Sequence, residues 1–218
     1  MPSRDENKQI KSGDTPKEWE ENPHKLAQKD TDARWTKKNG ETHYGYKDHV
    51  KVDADSKIIT DYATTSANVH DSNEFTEFLN EEDKVVYADS AYVGKEIPNH
   101  VENRVCEKGY RGKPLTDEQK ANNRKKSKTR CRIEHVFGFM TGSMHGIKLR
   151  SIGIGRAEFN IGLTNLVYNI CRYTILKRKE VHMGNYAQLK EISRFSGLIH
   201  PDMTGKQHFR FSVLEFAV

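Results

Sequence analysis

Cysteine is scarce: Cys106, Cys131 and Cys171 are the chain's three, isolated from one another and without a C-x-x-C pair. That argues against a disulfide framework and against a cysteine-based zinc site, and it is the usage expected in a reducing cytoplasm. Long apolar runs are missing as well. No stretch approaches the roughly 18 consecutive apolar residues of a bilayer-crossing helix, so no membrane is expected as a partner. The first residues, Met1-Pro-Ser-Arg-Asp-Glu-Asn, are charged early and include no apolar core of the kind a secretory signal carries. Hydrophobic residues make up 34% of the 218, against 31% charged. That apolar share is low, so one domain with peripheral segments outside its core is expected.

What the chain does have is charge, unevenly placed. The formal net charge is only +5. Residues 1–42 cancel internally, with nine Lys/Arg and nine Asp/Glu. Residues 104–132 do not: eleven Lys/Arg stand against three acids, Glu107, Asp117 and Glu118. Such a concentration, including Arg124, Lys125, Lys126, Lys128, Arg130 and Arg132, suits a polyanionic partner; the plainer alternative is a solvated helix face.

Local patterning gives the organisation. Residues 1–41 read as an irregular charged segment, interrupted by Pro2, Pro16 and Pro23. From Thr42, a strand-like run with Tyr44, Tyr46, Val50 and Val52, a turn at Asp53-Ala-Asp-Ser, and a second run with Ile58, Ile59 and Tyr62 predict a hairpin over 42–65. Asp71, with Glu74 three positions on and Phe75, Phe78 and Leu79 behind, predicts a capped helix. Val85-Val-Tyr-Ala-Asp89 predicts a strand buried on both faces with a carboxylate at its C-terminal edge. A short helix over 93–101 and a short strand at Arg104-Val-Cys-Glu follow. Leu115 to Phe137 lacks Gly and Pro and predicts a helix opened by Asp117 and Glu118. A last helix spans 156–177, where Phe159, Leu163, Leu166, Val167, Ile170 and Tyr173 have the spacing of a buried stripe. The fold class is therefore α/β or α+β. Residues 180–218 read as a tail of no evident role.

Two places carry chemistry. Asp89 closes a buried strand at the sheet edge where α/β proteins place ligands, although Asp after a strand is often only a cap. Arg130 and Glu134 lie four apart on one predicted helix; on a solvated face such a pair is worth only about 0.3 kcal/mol. Each signal alone is weak.

Their order says more. Tyr44-Gly-Tyr-Lys47-Asp-His49, then Ala67-Asn-Val-His70-Asp71, then Ala88-Asp89-Ser-Ala-Tyr92, then Arg130-x-x-x-Glu134-His resembles the catalytic domain of bacterial insertion-sequence transposases of the Asp-Asp-Glu class, over residues 35–178. The resemblance implies a ribonuclease H-like fold, with residues 42–179 as the partial catalytic domain, and metal-dependent phosphoryl transfer on DNA. The DNA would be the element's terminal inverted repeats and the target; a homo-oligomer is left open. Three carboxylates would hold two hard cations, Mg²⁺ or Mn²⁺, that activate the nucleophile and stabilise the in-line transition state. By motif, Asp89 is the second acid and Glu134 the third, both metal ligands. Arg130 would contact phosphate or orient Glu134. Lys47 or His49 would reach DNA from the flanking strand, Asp71 would be a cap, and His70 would be packed or hydrogen-bonded.

Departures from the pattern are as informative. Many relatives carry Tyr and Lys on either side of the Arg–Glu pair; here those positions are Ser127 and Thr141. The family's first aspartate ends an apolar strand ahead of the hairpin. Asp5, Asp14, Asp30 and Asp32 follow no apolar run, and Asp53 lies in the hairpin turn. The expectation is a fold lacking its first strand and first acid, with an unpaired ladder open to solvent or another chain. The competing reading is a DNA-binding remnant without catalysis; a weaker one is an unrelated metal-dependent nuclease or phosphatase.

Overall fold

The computed structural model describes residues 2–38, 40–195 and 211–217, and side chains as far as Val181. The segment expected to be irregular is instead built of short elements, two of its three helices with side-chain caps. Helix α1 (Arg4–Lys11) starts on a capping box, with Ser3 and Glu6 satisfying each other's backbone amides. Helix α2 (Lys17–Glu20) carries Trp19, which is fully buried and donates its indole N–H to Glu6 Oε1 at 2.7 Å. Helix α3 (Pro23–Leu26) has Asn22 as its cap and Pro at its start. Strand β1 (Arg34–Lys38) then pairs antiparallel with the first part of β2. Dense charge conceals these elements because their large buried anchors, Ile10 and Trp19, are single residues rather than a periodic pattern.

The hairpin is as expected: β2 (Glu41–Asp53) and β3 (Ile59–Ser66) pair antiparallel, from Tyr46↔Ser66 to Val52↔Ile59. Asp53 shapes the turn by accepting from the Ser56 amide at 2.6 Å. Residues Gly45–Val52 are buried on both faces of the sheet. Their alternation of polar Lys47, His49 and Lys51 with apolar Val50 and Val52 therefore does not mark a solvent face. Lys51 Nζ lies 2.7 Å from Asp83 and donates to the Phe78 carbonyl at 2.9 Å, so its charge is matched inside.

The helix expected from Asp71 is a single 3₁₀ turn, Asp71–Asn73, capped by His70 rather than Asp71. The Asp71 carboxylate is engaged elsewhere, 3.0 Å from Lys47 Nζ. Phe75 and Phe78 still bury themselves, against Val86, Ala88, Tyr92, Val101 and Val105. Strand β4 (Val85–Tyr87) ends just before Asp89, and a 3₁₀ turn follows at Ser90–Tyr92. No helix forms over 93–101. Strand β5 is only Glu102–Asn103, earlier than expected, and pairs parallel with β4.

The single helix expected through 137 is two. Helix α4 (Asp117–Arg130) opens on a Thr116–Gln119 capping box, and α5 is Glu134–Gly142. Between them the amides of Arg132, Ile133, Glu134 and His135 bond three residues back, at 3.1–3.3 Å. This tighter winding needs no Gly or Pro, so composition could not reveal it. It turns Ile133 into the core, fully buried with Val50, Val52, Val136 and Met140. Truncating Ile133→Ala is expected to cost about 2–4 kcal/mol, measured by urea unfolding, and Ile133→Val about 1 kcal/mol.

Helix α6 runs over Ile154–Phe195. Its expected buried stripe is overturned: Phe159 is 69% exposed, Leu166 55% and Ile170 57%, with Leu163, Val167 and Tyr173 also exposed. The inward face is Ala157, Ile161, Asn165 and Tyr168. The surface under it is polar, which explains the choice. Asn169 bonds both the amide and the carbonyl of Ile59 at 2.8 Å, and Tyr168 donates to the Lys57 carbonyl at 2.8 Å. An amide and a phenol satisfy those backbone groups; leucine would not.

Of residues 180–218, those described hold the end of α6, to Phe195, and one strand. Strand β6 (Phe211–Ala217) enters the sheet, which reads β3–β2–β6–β4–β5 with β1 alongside the start of β2. β6 is antiparallel to β2 and parallel to β4. The ladders expected to be open beside the hairpin are thus paired.

Candidate functional site

Asp89 stands exposed at the C-terminal end of β4, because the buried strand stops at Tyr87-Ala88 and the chain turns outward. One carboxylate oxygen accepts from the Ser90 amide at 2.6 Å and caps the 3₁₀ turn; the other has no such bond. Glu134 is the first residue of α5, where the helix N-terminus favours a negative charge. Its side chain is 56% exposed and lies 3.3 Å from the Arg130 guanidinium, itself 19% exposed. The pair therefore forms across the break between α4 and α5 rather than along one helix. Ile133 beside it, locked in the core, fixes where Glu134 projects.

The remaining expected contacts divide. Arg124, Lys125 and Lys128 are exposed on α4, spaced three and four apart so that they share a face. Lys126 turns inward, donating to the Val105 carbonyl at 2.9 Å and lying 3.6 Å from Glu107. Arg132 is tethered to the β2–β3 turn through the Ala54 carbonyl at 2.7 Å and Asp55 at 3.3 Å. Lys47 and His49 are buried and engaged within the fold. Lys47 is held by Asp71 and by the Val69 carbonyl at 2.8 Å, and His49, 1% exposed, bonds Thr65 Oγ1 at 2.7 Å. His70 is hydrogen-bonded to Ser72.

Of the five aspartates weighed as a first acid, Asp14, Asp30, Asp32 and Asp53 have structural work. Asp30 accepts from the Tyr46 hydroxyl at 2.8 Å and from the Gly153 amide at 3.1 Å, and Asp32 accepts from the Ile154 amide at 3.0 Å. Together they anchor the start of α6, a role the sequence hid because the partners lie more than a hundred residues away. Burial and the Asp30 carboxylate both push the Tyr46 hydroxyl far above its ordinary range. Asp53 serves its turn, and Asp14 accepts from the Ser12 hydroxyl at 3.2 Å. Among the described residues no three His, Cys, Asp or Glu side chains converge closely enough to hold a metal ion. Asp89 and Glu134 offer oxygen donors of the kind a hard cation takes, but two of them only. Among the described residues no helix is long and apolar enough to cross a membrane.

An exposed acid ends a buried strand, a second opens a helix, and a cationic helix face precedes it in a mixed α/β domain. The family is shown directly: residues 15–170 match the transposase DDE domain, and the chain belongs to that family. It is similar to the transposase for insertion sequence element IS1106 of Neisseria meningitidis serogroup B, 34% identical over 151 residues that make up 66% of this chain and 52% of that protein. The chain thus spans about half the length of this curated relative. No solved structure matches it.

Proposed function

We propose that this chain is a catalytic-domain portion of an insertion-sequence transposase, with a ribonuclease H-like arrangement over residues 42–179, serving DNA strand cleavage and transfer by metal-dependent phosphoryl transfer. The observation that carries the reading is the position of Asp89, exposed at the end of buried β4 inside the family-matched stretch. Asp89 and Glu134 are two of the three acids such chemistry needs, for Mg²⁺ or Mn²⁺; the metals would supply nucleophile activation and charge stabilisation. Arg130 holds Glu134 in place and keeps guanidinium donors for a phosphate. Arg124, Lys125 and Lys128 take the backbone of DNA, the element's terminal inverted repeats and target.

With two such acids among the described residues, the chain by itself is expected to be catalytically silent and to bind DNA. The full chain is expected to bind a terminal-repeat duplex with or without Mn²⁺, to leave it uncut, and to keep its affinity in Asp89→Ala. Electrophoretic cleavage and mobility-shift assays check this. Cleavage by the chain with Mn²⁺, lost in Asp89→Ala, would overturn the silence and make the described acids sufficient. The alternative of a DNA-binding remnant with no metal site is separated by Mn²⁺ titration: weak binding that Glu134→Gln or Asp89→Ala removes belongs to a transposase site, and its absence to the remnant.

A further inference from the structure

Helix α6 is the longest described element, at 42 residues, and its outward face is apolar. Phe159, Leu163, Leu166, Ile170 and Tyr173 are each 48–69% exposed. They recur at alternating steps of four and three residues, averaging about 3.5, the spacing that holds a seam along one side of a coiled-coil helix. Residues 157–171 hold one charged side chain, Glu158, in a chain that is 31% charged. Such depletion of charge marks the centre of an interface rather than a solvated face. With Val167 beside them, the seam residues present on the order of 600 Å² of apolar surface. One side of a stable interface needs about 800 Å² in all, polar rim included.

The ends of the seam identify what covers it. The same steps continue to Arg156 on one side and to Lys177 and Glu180 on the other, all exposed. Two such helices laid parallel and in register would set each of these charges against its own kind. Laid antiparallel, Leu166 meets the partner's Ile170, Leu163 meets the partner's Tyr173, and Phe159 meets the partner's Lys177. Arg156 then meets the partner's Glu180, so opposite charges close both ends of the seam. Lys177 already stands over an aromatic ring, 5.7 Å from the centre of Tyr173, so a second ring suits it.

We propose that α6 pairs antiparallel with α6 of a second copy of this chain, through the seam from Phe159 to Tyr173, and makes the chain a two-fold homodimer. The pattern is complementary to itself, as an interface between identical surfaces must be. The uncharged seam offers neither a polyanion nor a charged peptide anything to recognise. The pairing is independent of the reading of Asp89 and Glu134.

Sedimentation equilibrium on the full chain, freed of nucleic acid, tests it. At about 100 µM the mass is expected to be twice the 25.1 kDa of one chain. Leu166→Glu and Ile170→Glu each set a carboxylate in the seam and are expected to weaken association at least about 100-fold. Far-ultraviolet circular dichroism should not change, because both positions are exposed in the single chain. Arg156→Glu is expected to weaken association about tenfold, and adding Glu180→Arg to restore it; this exchange leaves every apolar contact in place. A monomer at about 100 µM, or a dimer that neither seam variant weakens, overturns the proposal. Seam variants that dissociate without rescue by Glu180→Arg overturn the antiparallel register, and assembly growing beyond two copies overturns the closed two-fold.

Discussion

Replacing Arg124, Lys125 and Lys128 together by glutamine is expected to weaken binding to duplex DNA by a few hundredfold at about 0.1 M salt. Each phosphate contact made by a cation contributes close to one unit to the slope of log affinity against log salt, so the slope should fall by about 2.7 in the triple variant. Glutamine has nearly the helix preference of Lys and Arg, and the three residues are exposed on α4 outside every buried cluster, so the fold should not change. Lys126→Gln is the informative control. Its ammonium is spent on the Val105 carbonyl and Glu107, so it should cost stability at the 104–107 segment and little affinity. Fluorescence anisotropy across a salt series gives both numbers. Equal slopes for the triple variant and the unsubstituted chain would move the DNA to another surface.

How much of this was legible in the sequence depended on whether partners were near in the chain. The β2–β3 hairpin, the buried Val85–Tyr87 strand and the Thr116 start of α4 follow from local pattern, and the structure keeps all three. The order of motifs singles out Asp89 and Glu134, and the structure leaves both exposed. The misreadings arise where distant groups decide. Apolar type and helical spacing point the hydrophobic stripe of α6 inward, but the surface below offers the Ile59 amide and carbonyl and the Lys57 carbonyl, and Asn169 and Tyr168 answer them. Lys47 and His49 look like surface groups on an alternating strand until the segment carrying Asp71 folds over them. Sequence pattern also had no means of anticipating β6, since strand pairing between residues 47–53 and 211–217 leaves no local trace.

One buried group predicts an unusual pH response. Asp48 has no exposed surface; one oxygen accepts from Asn165 Nδ2 at 3.2 Å, while its other oxygen and Asn165 Oδ1 have no partner. Burial pushes its carboxyl up to about 7, against a smaller opposing effect of the Asn165 hydrogen bond. A proton on the second oxygen would provide the donor that Asn165 Oδ1 lacks, so the neutral acid suits the site and the carboxylate does not. The direction is opposite to that of a salt-bridged aspartate. Between pH 4 and 7 the folded chain keeps a proton the unfolded chain has released, so stability falls as pH rises, by at most about 1.4 kcal/mol per unit, and levels off above 7. Asn in place of Asp keeps the same shape and can exchange two hydrogen bonds with Asn165 without titrating. Asp48→Asn is therefore expected to flatten the profile and to be about 2–3 kcal/mol more stable than the unsubstituted chain at pH 8, with little difference at pH 4. Urea unfolding of both proteins across that range measures it. Parallel curves would mean that Asp48 is ionised in the folded chain and that its second oxygen is satisfied by a bridging water.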